Sequence, residues 1–339
     1  MKVTSAIFIT LFCIVMNSFS SPALGNTWLV RKDGTGDTDN IYEAIQALSQ
    51  SGDTILVGPG IWTCYAIELS GKALHFISEM GAQNTIVEYH ELFPGYYPHS
   101  VFYVLDAGGD CSIIGFTIRG AYGCISEGGG GIYCNNSRIF IKNNIIVNNY
   151  CTFGGGISCY GDPAPVIENN LICNNNANQG GGIEVDRCSP IIRNNTIVYN
   201  YAGVVGGGIS IGFESYPEIS NNIIAHNLAY DVGGIFCNSS CGLSYPADML
   251  FTCNDVWSNN PSNYCDSLPD QTGMNGNISA DPLFCGVAGS GNFYLQSGSP
   301  CAEMNVPALC GGVRMGMYPV NCDVSVEEKS WGKIKSLFK

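Results

Sequence analysis

Gly129-Gly-Gly-Ile-Tyr-Cys134 decides the fold, because it returns. It recurs as Gly154-Gly-Gly-Ile-Ser-Cys159, Gly180-Gly-Gly-Ile-Glu-Val185 and Gly206-Gly-Gly-Ile-Ser-Ile211, and shortens to Gly233-Gly-Ile-Phe-Cys237. The isoleucines Ile132, Ile157, Ile183, Ile209 and Ile235 set a period of about 26 residues. A fixed period in that range marks a solenoid or another stacked repeat. Each period holds two further apolar runs. Ile139-Phe-Ile-Lys-Asn-Asn144 is matched by Pro165-Val-Ile-Glu-Asn-Asn170, Pro190-Ile-Ile-Arg-Asn-Asn195 and Pro217-Glu-Ile-Ser-Asn-Asn222. Ile145-Ile-Val-Asn-Asn149 is matched by Leu171-Ile-Cys-Asn-Asn175, Thr196-Ile-Val-Tyr-Asn200 and Ile223-Ile-Ala-His-Asn227. Runs this short are strands rather than helices, and the Gly and Asn between them tolerate the positive φ of sharp turns. Three strands and three turns per period describe one coil of a parallel β-helix, each coil stacking about 4.8 Å from the next.

Alternation along a strand sorts its side chains. The isoleucines of the Gly-rich strand form one inward column. Cys134, Cys159, Val185, Ile211 and Cys237 form a second, which reads as core filler, with Cys134 and Cys159 stacked rather than bonded. In the second strand Ile141, Ile167, Ile192 and Ile219 point inward, and Lys142, Glu168, Arg193 and Ser220 make an outward charge ladder. The asparagines ending each run read as stacked turn residues whose amides satisfy the turn backbone.

Only 12% of residues are charged and 43 of 339 are Gly, which suits one elongated all-β solenoid. The formal net charge is −14 and no basic cluster precedes the last ten residues, which argues against a nucleic-acid partner. An anionic polymer would need a bridging cation such as Ca²⁺; otherwise no cofactor and no metal site is expected. Residues 1–25 read as a signal peptide, with Lys2, an apolar run from Ala6 to Met16 and a small-residue site at Ala23-Leu-Gly25. That run is too short to span a bilayer, so no transmembrane span is expected after its removal, and the protein is expected to be a monomer, secreted or at the cell surface. Without Cys13, sixteen of the 17 cysteines remain, an even number for an exported chain. The disulfide candidates are Cys241, Cys253, Cys265, Cys285, Cys301, Cys310 and Cys322. The domain layout is a signal peptide (1–25), a β-helix domain (26–320) and a tail (321–339). Within the domain, 26–61 is an N-terminal cap, 129–240 holds the clearest repeats and 241–320 is an irregular Cys-rich closing segment. A helix over Asn40–Gln50, capped by Asn40 with Glu43 as the reciprocal acid, is expected to cover the first coil.

Lys32-Asp-Gly-Thr-Gly36, Ile41-Tyr-Glu-Ala-Ile45, Gly52-Asp-Thr-Ile-Leu-Val-Gly-Pro-Gly60, Lys72-Ala-Leu-His-Phe-Ile-Ser78 and Thr85-Ile-Val87 resemble the opening of pectin-lyase-like right-handed β-helix proteins. Cys253-Asn-Asp-Val-Trp257, Asn277-Ile-Ser-Ala-Asp-Pro-Leu-Phe284 and Phe293-Tyr-Leu-Gln-Ser-Gly-Ser-Pro300 resemble the closing segment of secreted bacterial members. The resemblance spans residues 27–320 and implies a right-handed parallel β-helix with a short N-terminal capping helix. It implies no single activity, because that superfamily hosts lyases, hydrolases, esterases, adhesins and coat proteins. None of the catalytic motifs of its polygalacturonases, pectinesterases or pectate lyases can be matched here. The ending Trp331-Gly-Lys-Ile-Lys335 resembles that of some exported bacterial proteins, and a sorting or anchoring signal stands beside a capping segment or loose tail.

One constellation carries chemistry. Glu184 and Asp186 lie two residues apart on the outward side of a Gly-rich strand, about 7 Å along one face. Tyr133, Ser158, Ser210 and Phe236 share the column of Glu184; Asn135, Tyr160, Gly212 and Asn238 share that of Asp186. Asp162, Arg187 and Glu214 stand at neighbouring turns, and Tyr96 and Tyr97 lie in the aromatic insertion Glu88–Ser100. The simplest reading is a solvated strand face. Aromatics beside acids also suit sugar binding, and a carboxyl pair suits glycoside hydrolysis or a cation. The leading expectation is a non-catalytic carbohydrate-binding or adhesin-like protein. The alternatives are a polysaccharide lyase or glycoside hydrolase using Glu184 and Asp186, and a structural surface component.

Overall fold

The computed structural model of the chain describes residues 25–90, 100–122, 128–238, 250–265, 267–286 and 291–322. Among these, parallel strands stack into sheets of nine, eight and seven strands that form the faces of a solenoid. The seven-stranded sheet carries the Gly-rich strands, in the register Ile132 to Ile157 to Ile183 to Ile209 to Ile235, and all five side chains are fully buried. Cys134 and Cys159 are stacked free thiols, their sulfurs 3.5 Å apart. Cys237 departs from the core-filler expectation because it is disulfide-bonded. On the nine-stranded face Lys142 and Arg193 both pair with Glu168, at 2.8 and 3.2 Å, as a charge ladder should.

The triple glycines have a steric reason. Their backbones turn a corner so tight that a Cβ at Gly181 would stand 2.5 Å from the Tyr201 carbonyl oxygen and 2.6 Å from that of Gly207. No side chain fits there.

Two asparagine columns run beside the turns. Within a column each amide donates to a carbonyl of one neighbouring coil and to the amide oxygen of the next asparagine, while at the starts the Asn144 and Asn149 oxygens accept from Phe116 and Ala121 N–H and at the ends Asn277 and Asn263 donate to the Met274 carbonyl and the Ser279 hydroxyl. Asn144, Asn170, Asn195, Asn222, Asn254 and Asn277 form one such chain, all buried. Asn149, Asn175, Asn200, Asn227, Asn259 and Asn263 form the other. Both columns extend beyond the repeats that define them in sequence.

Three features differ from the sequence expectation. Some coils carry a fourth strand: Asn176–Gln179, Tyr201–Val205 and Leu228–Ala229 pair as a three-stranded strip. Its outward residues share no character, and only the small inward column Ala177, Ala202 and Ala229 repeats. The N-terminal helix is also shorter and wider than a regular α-helix, with α geometry at Ile41–Glu43 and π geometry at Ala44–Leu48. Asn40 caps it, but Glu43 does not return to the Asn40 amide, because the Thr38 hydroxyl intervenes. That hydroxyl accepts from Asn40 N–H at 3.1 Å and donates to Glu43 at 2.5 Å. Ile41, Ala44 and Ile45 are buried in the main core, so the helix does cover the first coil.

The third difference is the closing segment. It folds back along the outside of the eight-stranded sheet, where Phe293, Leu295, Cys301, Cys310 and Met315 bury Ile145, Leu171, Val198 and Ile223. Gly316 N–H donates to the Asn221 carbonyl and Met317 N–H to the Thr196 hydroxyl. Cys253–Cys310 and Cys285–Cys322 clamp the segment. Cys265 and Cys301 are free, and the Cys301 thiol bonds to the buried Asp255 carboxyl at 3.2 Å. The signal-peptide, Cys241, Tyr96–Tyr97 and C-terminal-tail expectations lie outside the described residues, and no described helix is long and apolar enough to cross a membrane.

Candidate functional site

The outward side chains of the Gly-rich face and the near end of the fourth-strand strip enclose a groove of about 510 Å³. It is larger than the hollows beside Met304 (about 300 Å³) and Arg31 (about 340 Å³). Tyr133, Ser158, Glu184, Ser210 and Phe236 floor it from five successive coils, in register. Five coils span about 19 Å along the axis. Phe153 and Gln179, bridged across two coils, form one wall. Tyr160, Asp186, Arg187 and Phe213 form the other.

The structure brings Glu184, Asp186, Tyr133, Tyr160 and Arg187 together and leaves two candidates out. Asp162 and Glu214 are exposed on turns and do not line the groove. Phe153, Gln179 and Phe213 were missed by sequence reasoning. Phe153 and Gln179 each stand immediately before a triple glycine, a position the repeat alignment contains but whose residue types vary.

The two carboxyls have different surroundings. Asp186 is anchored through both oxygens: Oδ1 accepts from Phe213 N–H at 3.0 Å and Oδ2 pairs with Arg187 at 3.1 Å. Arg187 also donates to the Tyr160 hydroxyl at 2.8 Å, with its guanidinium 5.6 Å from that ring's centre, so Tyr160 is held in place while 36% exposed. Tyr133 stacks on Tyr103 at 5.1 Å, and its hydroxyl accepts from the Asn135 amide.

Glu184 is not on a solvated face. It is 6% exposed, with Ser158 and Ser210 flanking it in register and Gly180 close to its Oε2, which has no hydrogen-bond partner. Burial pushes its carboxyl up to about 8; the Ser210 hydroxyl opposes this and the nearby Asp186 adds to it. Gly180 admits the side chain, since a Cβ there would meet Oε2 at 2.7 Å.

Chemically, the groove offers flat aromatic surface, a fixed Arg–carboxylate pair and one buried acid that keeps its proton at neutral pH. Aromatic lining with a few convergent polar groups is the usual make-up of a small-molecule or oligomer site. The family model described as a right handed beta helix region matches residues 100–265, which include every described residue of the groove. No curated protein and no solved structure matches the chain.

Proposed function

Starting from a right-handed parallel β-helix protein with an aromatic-lined lateral groove, we propose that the protein binds an extracellular or cell-surface glycan along that groove without cleaving it. The observation that carries this reading is the groove itself. Its aromatic side chains come from stacked coils, so they repeat along an axis, as the rings of an extended sugar chain do. Tyr160 and Phe213 expose faces for stacking, and Arg187 and Asp186 are held rigidly beside them. Preorganised aromatic and polar groups lower the ordering cost of binding. Disulfides in the closing segment and the apolar run at residues 6–16 support a site of action outside the cell.

A second reading, a glycoside hydrolase or lyase, is favoured by one observation. Glu184 is a protonated acid two residues from a second carboxyl, the kind of separation in acidity that acid–base catalysis uses. Binding ranks ahead of catalysis because Asp186 is anchored to Phe213 N–H and paired with Arg187, as suits a fixed polar contact of a binding groove.

The test is a glycan array probed with the purified protein, with and without Ca²⁺, each hit then incubated and checked for new reducing ends or unsaturated products. Binding without turnover is expected, with or without the cation. Turnover abolished by Glu184→Gln would establish the second reading instead. Silence on all glycans would leave a structural surface role.

A further inference from the structure

Glu184 is the groove residue with an oxygen whose partner the chain does not supply. Its side chain is more than nine-tenths buried, its Oε2 is unpartnered, and it belongs to the groove lining. Ser158 and Ser210 stand above and below it in register. An unsatisfied buried oxygen is costly as part of an anion, and a carboxyl that keeps its proton relieves that cost.

The ionisable groups around Glu184 define what ligand charge the groove accepts. On its own strand is Asp186, followed by Arg187; on the preceding coils are the phenols of Tyr160 and Tyr133 and the buried Cys159 thiol. The facing strip contributes Phe153 and Gln179, neither of which ionises. Of these lining groups, Asp186 and Arg187 carry opposite charges and neutralise each other at 3.1 Å. With a protonated Glu184 the groove is uncharged, on a chain of formal net charge −14.

We propose that Glu184 is the specificity-determining contact of this groove, and that the groove takes an uncharged glycan, one hydroxyl of which hydrogen-bonds to the Glu184 carboxyl. The proposal rests on the glycan-binding reading above. A polyanionic chain would bring its carboxylates to a groove whose one cation, Arg187, is offset by Asp186 at 3.1 Å. A neutral sugar hydroxyl can both donate to and accept from a protonated carboxyl. Ionising Glu184 beneath a bound ligand would bury an uncompensated charge, so binding favours the protonated form. Burial sets that carboxyl at about 8, so affinity falls as pH rises through that value. Between pH 7 and pH 9.5 the fall is on the order of 30-fold if only the protonated form binds.

The experiment is calorimetric titration of the full chain with cellohexaose, xylohexaose and mannohexaose as neutral probes and hexagalacturonate as the charged one, at both pH values. At least one neutral probe is expected to bind, to weaken about 30-fold at the higher pH, and to bind at least about tenfold better than hexagalacturonate. Glu184→Gln cannot ionise, so whatever neutral-probe affinity it shows at pH 7 should persist at pH 9.5, and the roughly 30-fold pH dependence should be lost. Should that variant not fold, ¹³C NMR titration of the wild-type Glu184 carboxyl decides: its midpoint must rise when the bound hexasaccharide is present. Neutral binding with an unaltered pH profile in the variant, an unmoved midpoint, or equal affinity for hexagalacturonate would overturn this inference and leave glycan binding standing. No binding by any array glycan would overturn both.

Discussion

Replacing Asn170 by Ala tests what holds the coils in register. Its amide donates to the Ile141 carbonyl at 2.8 Å and to Asn195 Oδ1 at 3.0 Å, and its oxygen accepts from the Asn144 backbone and side-chain amides at 3.0 and 3.1 Å. Alanine removes all four bonds. Two of the groups left behind have other partners: the Asn144 amide still reaches the Ile113 carbonyl, and Asn195 Oδ1 still accepts from Asn170 N–H. The other two, the Asn144 backbone N–H and the turn-facing side of the Ile141 carbonyl, lose these partners in a dry interior. Each orphaned group costs about 1–3 kcal/mol, so the substitution should cost about 4 kcal/mol, a large share of the 5–15 kcal/mol typical of a folded domain. Urea unfolding followed by far-UV circular dichroism measures this, with Lys142→Ala as the comparison. That change removes a half-exposed ladder charge and should cost no more than about 1 kcal/mol. If Asn170→Ala costs no more than Lys142→Ala, the asparagine columns are not what satisfies the turns.

Gly181→Ala should be at least as damaging, because its Cβ would collide with two backbone oxygens that cannot rotate away; the variant is expected to unfold at a much lower urea concentration or to accumulate as insoluble protein. Cys253→Ser with Cys310→Ser removes a cross-link spanning 57 residues, worth about 4 kcal/mol by chain entropy, and should increase dye binding as Ile145, Leu171 and Ile223 lose their cover; unchanged fluorescence would contradict the packing of the closing segment. Burial raises Glu184 from 4.5 to about 8 and Asp255 from 3.8 to about 7, while the unfolded chain releases both protons near their ordinary values. Their stabilising contribution is therefore fully present below about pH 4 and is lost as pH rises toward 8. Thermal stability should fall over that interval, less steeply in Glu184→Gln, and equal slopes in variant and wild type would refute the assignment.

The period, the inward isoleucine columns, the charge ladder and the asparagine stacks were all readable from sequence because each repeats in kind every coil. The fourth strand was not, because Asn176, Tyr201 and Leu228 share a position but no chemistry, and only the small residues beneath them persist. The path of the closing segment was hidden for another reason. Met315 and Leu295 pack on residues far away in the chain, and no local pattern announces which face will receive them. At the groove, strand alternation correctly placed Glu184 and Asp186 on one side. It could not show that Phe153, Gln179 and Phe213 line the same groove, because they stand outside the repeated strands whose alternation was read.

The most direct test of the groove as the functional site is titration of a bound neutral hexasaccharide into wild type, Tyr160→Ala and Lys142→Ala side by side. Tyr160 offers its ring to the groove, whereas Lys142 lies on the nine-stranded face. Lys142→Ala should bind like wild type and Tyr160→Ala should lose about tenfold, the worth of one stacked aromatic. Undiminished binding by Tyr160→Ala, or equal loss in both variants, would contradict the groove's role.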